Sequence, residues 1–484
     1  MAGIIKRLFS KKNKRDISPS ASSANTLLRD AEATVLKRDA HTVSRQKISK
    51  NALKVLYRLN EAGYQAYLVG GGVRDILLGL QPKDFDVATD ATPEQIQAVF
   101  RNCRLIGRRF RLAHILFGRE VIEVATFRAG HESSEGSGKK QNKPKNELSR
   151  TSDQGMLVRD NVYGSIVEDA FRRDFTVNAL YYTVKDFSVL DYTGGLDDLA
   201  ERKIRLIGDP EERYREDPVR ILRAIRLACK LNLSIEPSTA KPIKQLSELL
   251  THVSSARLWD ECNKMLLAGH AEATWDQLFR EGVSQYLFPQ TVQALAAKDD
   301  QAKAFQQFVS AALKNTDKRI ANQQPVTPAF LFAVILWKPV QELTEKLIAK
   351  GKPPYEASQK AASQVMEKQR MITAIPKRFS LVAKEIWGLQ HRLSNRRKKS
   401  VYSLIAHARF RAAYDFLYLR AGKDPELSEL AKWWTDYQDA GPEAQQNMLN
   451  LVDNKPRKKR KRKPANKKRT TTKKQTKNVP PKKL

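Results

Sequence analysis

Asp84 and Asp86 stand two residues apart in Lys83-Asp84-Phe85-Asp86-Val87, a dozen residues after the turn Gly70-Gly71-Gly72-Val73-Arg74. In an extended strand, side chains at i and i+2 point to one side, with Cα atoms about 6.5–7 Å apart. Two carboxylates so placed repel each other unless a cation neutralises them. Mg²⁺ suits the pair, because it prefers carboxylate oxygens and takes phosphate as a co-ligand. Phe85 and Val87 then face the core. The glycines follow an apolar run, Ala66-Tyr67-Leu68-Val69, and precede a helical pattern over Val73–Leu78. A strand, a glycine turn and a helix start gather backbone N–H groups at one point, which suits a phosphate. Arg74 adds a guanidinium fork. The run is neither a Walker loop nor G-x-G-x-x-G, and a plain tight turn explains it equally well.

Other residues extend this chemistry. Ile122-Glu123-Val124 alternates as a strand does, and Glu123 is an acid among apolar neighbours. A third carboxylate of the cluster or a salt bridge to Arg128 would account for it. Arg104, Arg108, Arg109 and Arg111 form a basic stretch, read as a solvated edge or as contacts to nucleotide or RNA phosphates. Arg172-Arg173-Asp174 offers donors and an acceptor fit for a ribose and its phosphates, or for a structural ion-pair network. Asp217, Arg220 and Arg223 are three apart on one helical stripe. Asp217 also suits a helix cap ahead of Pro218. An acceptor beside a donor matches adenine's N6 amine and N1, and equally cytosine's N4 amine and N3.

The elements that must position these groups come from pattern and composition. The chain of 484 residues is long enough for several domains. Net charge is +34, and removing Lys455–Leu484, with 16 Lys or Arg and no acid, still leaves +18. A polyanionic partner follows: nucleic acid first, an anionic membrane surface second. Cys103, Cys229 and Cys262 have no C-x-x-C spacing, which fits a reducing, cytoplasmic setting without a zinc site. The longest apolar run, Ala329–Trp337, is too short to span a bilayer and reads as a buried helix.

Residues 1–50 read as a disordered basic tail, in which Ile4–Phe9 has the pattern of a short membrane-lying turn or a frayed end. Residues 129–157 are nearly free of apolar residues and read as a flexible insertion in the domain that carries the catalytic motifs. From 240 to 450 the chain reads almost wholly helical, and 451–484 reads as a disordered polybasic tail. In the helical stretch, Arg396, Arg397, Lys398, Lys399 and Arg411 suit an RNA backbone. Phe410, Tyr414 and Tyr418, four apart, read as core.

The stretches LVGGGVRDILLG, KDFDVATDATPEQ, IEVATFR, RRDFTVNALYY, GGLDDL, RLIGDPEERYREDPVRILRAIRLA and ARLWDECNKMLLAG, in this order over about 52–275, resemble the class II nucleotidyltransferases. This is the family of the bacterial poly(A) polymerases and the CCA-adding enzymes. LIGRRFRLAH, HARFRAAYDFLYLRA and the basic tail resemble the poly(A) polymerase branch. The resemblance implies an α+β fold: a nucleotidyltransferase head with a small β-sheet over 51–190, a helical neck over 191–275 and a helical RNA-binding body and tail over 276–450. It also implies two Mg²⁺ ions (or Mn²⁺) on Asp84 and Asp86, with Glu123 as a third carboxylate nearby. Gly70, Gly71 and Arg74 would meet the triphosphate of ATP. Arg173 and Asp174 would meet the ribose, with Asp174 counted among the catalytic acids, and Asp217 and Arg220 would read the base. The implied reaction adds AMP from ATP to RNA 3′ ends of mRNA and small RNAs, in the company of RNA-decay proteins. A CCA-adding enzyme and a non-catalytic RNA-binding protein are the competing readings.

Overall fold

The computed structural model describes residues 32–107, 111–129, 149–151, 157–160, 162–297, 299–422 and 424–453. The apolar turn at Ile4–Phe9, Arg108, Arg109 and the polybasic tail lie outside these residues, as does most of the insertion. Among the described residues the principal sheet has eight strands. They are β1 (Thr34–Leu36), β2 (Ala66–Val69), β3 (Asp86–Thr89), β4 (Cys103–Ile106), β5 (Leu112–Phe117), β6 (Glu120–Thr126), β7 (Leu180–Thr183) and β8 (Val189–Asp191). In space their order is β1-β8-β7-β2-β3-β6-β5-β4. Every neighbouring pair is antiparallel except β3 and β6, which run parallel.

That exception matters for register. Asp86 lies opposite Glu123, Glu123 opposite His114, Asp86 opposite Val69, and Val69 opposite Tyr181. Paired residues share a face, so these five form one row across the sheet. The opposite face carries Leu68, Val87 and Val124, all fully buried in the main core. Helix α1 (Lys50–Glu61) belongs to that core through Ala52, Val55, Leu56 and Leu59, which recur at helical spacing. Ser49 caps it by accepting the Ala52 N–H. Thr92 and Gln95 form the capping box of α2 (Pro93–Val99), with Pro93 in its first turn.

The neck is a pair of helices, α3 (Pro210–Glu216) and α4 (Val219–Leu231), followed by α5 (Ser255–Leu266). Beyond it the chain is helical to residue 453. Pro328–Ile335 is buried, as its unbroken apolar run anticipates, and Trp387 donates its indole N–H to the Ala333 carbonyl at 2.9 Å. A second, smaller core gathers Leu389, Phe410, Tyr414 and Trp434. Phe410 and Tyr414 are buried as read, whereas Tyr418 is 59% exposed. Among the described residues no helix is long and apolar enough to cross a membrane.

Two sequence boundaries shift. Residues 32–50 are not a loose tail: β1 pairs with β8, Val43 and Ile48 are buried, and His41 bonds the Phe187 carbonyl at 2.9 Å. Three residues of strand give no periodic signal, and their partner lies far along the chain. Within the insertion, Ser149–Thr151 pairs antiparallel with Leu157–Asp160, so the stretch read as wholly flexible holds a hairpin at its C-terminal end.

Candidate active site

The glycine turn begins at Gly70, whose φ of +71° favours a residue without a Cβ. The helix after it starts at Gly71, two residues earlier than the pattern suggests. A methyl on Gly71 would stand 3.4 Å from an Nη of Arg74, and one on Gly70 3.8 Å from an Nη of Arg173. The turn thus rests against two guanidinium groups. Arg74 is only 4% exposed. Its Nε donates to Asp75 at 2.8 Å and its Nη1 to the Asn178 side-chain oxygen at 2.5 Å. It supports the turn from beneath instead of presenting an open fork to solvent.

β3 starts at Asp86, so Asp84 precedes the ladder and is exposed, while Phe85 and Val87 are buried. The strand is therefore one turn of the pleat shorter than the i, i+2 reading assumed. The Asp86 carboxyl is pushed up to about 6 by burial first and by Glu123 second, with Asp84 adding and Arg173 opposing. An acid crowded by acids in this way is a natural partner for a divalent cation. Among the described residues no three His, Cys, Asp or Glu side chains form a ready-made metal site. The β3–β6 register sets Glu123 beside Asp86. Glu123 does not bridge to Arg128: its Oε1 is 3.3 Å from the Nε2 of His114, across the β5–β6 ladder. The backbone N–H of Arg128 instead donates to Asp169 at 3.2 Å. Arg111 pairs with Glu94 at 2.5 Å, and Arg104 is exposed on β4.

Arg173 donates through Nη2 to Asp169 at 2.8 Å and through Nε to the Tyr181 hydroxyl at 2.9 Å. Tyr181 lies in the row that contains Asp86, and the Arg173 charge acts on the Asp86 carboxyl. Burial alone would push the Asp174 carboxyl up, but the Arg223 guanidinium, the Asn178 amide and the Phe175 N–H hold it well below the usual carboxylate range. Arg223 donates from Nε at 2.7 Å and from Nη2 at 2.5 Å.

Arg173, Asp174, Asp217, Arg220, Arg223 and Arg257 line one cleft of about 490 Å³. That volume is within the roughly 300–1,000 Å³ typical of small-ligand sites. Asp217 closes α3 and also caps α4 as read: its Oδ1 accepts the Val219 N–H at 3.4 Å, while its Oδ2 accepts from Arg257 of α5 at 2.9 Å. Arg220 is also engaged, donating to the Arg213 carbonyl at 2.6 Å and to Glu216 at 2.8 Å. Arg172 is brought down to about 9 by burial and by Arg128, Arg213, Arg220 and Arg173. Cations crowded in this way favour an anionic ligand. Sequence reasoning missed Asp169, Asn178 and Arg257. Arg257 meets Asp217 across 40 positions and Asn178 meets Arg74 across 104, but Asp169–Arg173 and Asn178–Asp174 are four apart, a spacing the sequence did offer.

The chain matches three family models: "Poly A polymerase head domain" over 66–205, "Probable RNA and SrmB- binding site of polymerase A" over 232–295, and "Polymerase A arginine-rich C-terminus" over 350–469. It is 49% identical to poly(A) polymerase I of Salmonella typhimurium, covering 92% of this chain and 94% of that one. It is 44% identical to poly(A) polymerase I of Haemophilus influenzae, covering 88% and 94%. A CCA-adding enzyme of Lactobacillus gasseri is 36% identical, covering 48% of this chain and 54% of its own. The fold resembles that of the Bacillus stearothermophilus CCA-adding enzyme in complex with CTP, with a TM-score of 0.52 and 22% identity over 83% of this chain and 91% of that one. Near-full-length identity to poly(A) polymerases, against half-length identity to CCA-adding enzymes, decides the branch: this chain belongs to the poly(A) polymerase family of RNA nucleotidyltransferases.

Proposed function

We propose that the chain transfers AMP from ATP to RNA 3′ ends without a template. The observation that carries this reading is the 49% identity spanning 94% of a poly(A) polymerase I. Asp84 and Asp86 are the residues that would hold Mg²⁺ (or Mn²⁺), two ions in all, with Glu123 supporting from the neighbouring strand. The carboxyl of Asp86, pushed up to about 6 by burial and by Glu123, supports this. Bound there, the metal lowers the pKa of the RNA 3′-hydroxyl and neutralises the departing pyrophosphate.

The remaining work is positioning and charge complementarity. Gly70 and Gly71 would offer backbone N–H groups to the triphosphate, with Arg74 fixing the turn and Arg173 adding positive charge. Asp174 would accept from the ribose. Asp217 and Arg220 would face the base, each held by a partner: Arg257 for the first, Glu216 for the second. Such anchoring sets the spacing of acceptor and donor before the nucleotide arrives, which lowers the cost of ordering them on binding. RNA would lie along the basic neck and body. RNA-decay proteins as partners and a cytoplasmic setting complete the proposal, the latter supported by three free cysteines.

The test is incorporation on an unstructured RNA with one nucleotide at a time. Long A-only products with ATP alone are expected. Dependence on CTP with arrest after three additions would favour the CCA-adding reading. Asp84→Ala and Asp86→Ala should abolish incorporation while RNA binding persists, and near-normal incorporation by either variant would refute the metal assignment.

A further inference from the structure

Asn178 is buried in a single 3-10 turn, Thr176–Asn178, and reaches two of the site's groups at once. Its side-chain oxygen accepts from Nη1 of Arg74 at 2.5 Å. Its side-chain nitrogen donates to Oδ1 of Asp174 at 3.0 Å. A carboxamide suits this place, because it presents an acceptor to a cation and a donor to an anion from two separate atoms. The circuit then closes. Arg74 pairs with Asp75, Asp75 stands 3.6 Å from Lys230, and Lys230 shares helix α4 with Arg223, which binds Asp174. Asn178 is the one uncharged member of this ring.

The two oxygens of Asp174 are treated differently. Oδ1 takes the Phe175 N–H at 2.8 Å and the Asn178 amide, both from its own tight turn. Oδ2 takes only Arg223, whose side chain is 34% exposed and so is the more movable partner. A carboxylate has about four acceptor positions, and four donors occupy them here. A ribose hydroxyl entering the cleft must therefore take a place held by Arg223, at Oδ2. This works only if Oδ1 stays pinned.

We infer that Asn178 is a positioning residue that locks the Asp174 carboxylate to the Arg74-supported glycine turn, so that ribose recognition and triphosphate placement are set together. The inference rests on the reading of Asp174 as the ribose contact. Asn178→Asp keeps the acceptor for Arg74, and with it the ring's support of the fold, but replaces the donor to Asp174 with a repelling oxygen. Asn178→Ala removes both bonds.

The experiment measures kcat and KM for ATP and for 2′-deoxyATP on an RNA primer, using the full chain, with Asp174→Asn as a reference. Both Asn178 variants and Asp174→Asn should lower the ATP-to-2′-deoxyATP ratio of kcat/KM by roughly 10–150-fold, a size set by loss of a hydrogen bond to a charged group. For the Asn178 variants, the loss should appear mainly in the ATP values. A general loosening of structure would depress both nucleotides in proportion and leave the ratio unchanged. If Asp174→Asn lowers the ratio and Asn178→Asp does not, the role given to Asn178 is overturned while the ribose reading stands. If Asp174→Asn leaves the ratio unchanged, the ribose reading has failed and the inference falls with it.

Discussion

Asp86→Asn should stabilise this protein when no metal is present. The Asp86 carboxyl sits at about 6 against an ordinary 3.8, because burial and Glu123 disfavour its charged form. The folded state therefore holds that proton more tightly than the unfolded chain. Stability from this group is constant below pH about 4, falls as pH rises from about 4 to 6, and is flat above. Two units correspond to about 3 kcal/mol at most, and partial solvent access reduces this to about 1–2 kcal/mol. Removing the charge should recover that amount at pH 7.5, a rise in melting temperature of roughly 2–6 °C for a domain of this head's size. The assay is a thermal melt of the full chain in EDTA at pH 7.5 and at pH 4.5, beside the wild type. The gain should be present at the first pH and largely gone at the second. Adding Mg²⁺ at pH 7.5 should raise the wild-type melt and close the gap, because a ligand that binds only the folded state stabilises it. Equal melting in EDTA at pH 7.5, or a difference that ignores pH, would refute the crowded-carboxylate argument.

Arg257→Gln should release Asp217, lowering kcat/KM for ATP by roughly 5–20-fold and narrowing the preference over CTP; steady-state rates with each nucleotide decide it. Arg223→Met leaves Asp174 without its cation and should cost about 1–3 kcal/mol at pH 7 by chemical denaturation. Because pairing holds the folded-state Asp174 below its usual range, that deficit is full above pH about 4 and shrinks as pH falls further. Deleting residues 455–484 removes 16 cations, so RNA affinity should drop and its dependence on salt flatten, as read by filter binding across a salt series.

What the sequence made legible was local. The glycine turn, the Asp84/Asp86 pair, the Thr92 capping box and the α4 stripe each lie within one short stretch, where side-chain period and cap chemistry apply directly. The partners did not follow from spacing. Asp174 meets Arg223 across 49 positions, Asp217 meets Arg257 across 40, and Arg74 meets Asn178 across 104. No periodicity links such positions; only the packed fold does. The same limit explains Arg74, read as a phosphate fork, and Arg220, read as a base contact: the first is already held by Asp75 and Asn178, the second by Glu216 and the Arg213 carbonyl. β1 escaped for a related reason, since three residues acquire strand character only when β8 is alongside.

Helix α4 sends Arg223 to Asp174, Arg226 to Glu261 of α5 and Lys230 to Asp75 beside the glycine turn. These grips recur every three or four residues along one side of a single rigid rod. Two of the three, Arg223–Asp174 and Lys230–Asp75, reach from the rod to the sheet-bearing part of the chain, so swivelling one against the other would break both charge contacts at once. Under the proposed reaction the strand's new end would have to vacate the seat just filled, and a rod clamped in this way would favour slippage of the strand over rotation of the rod.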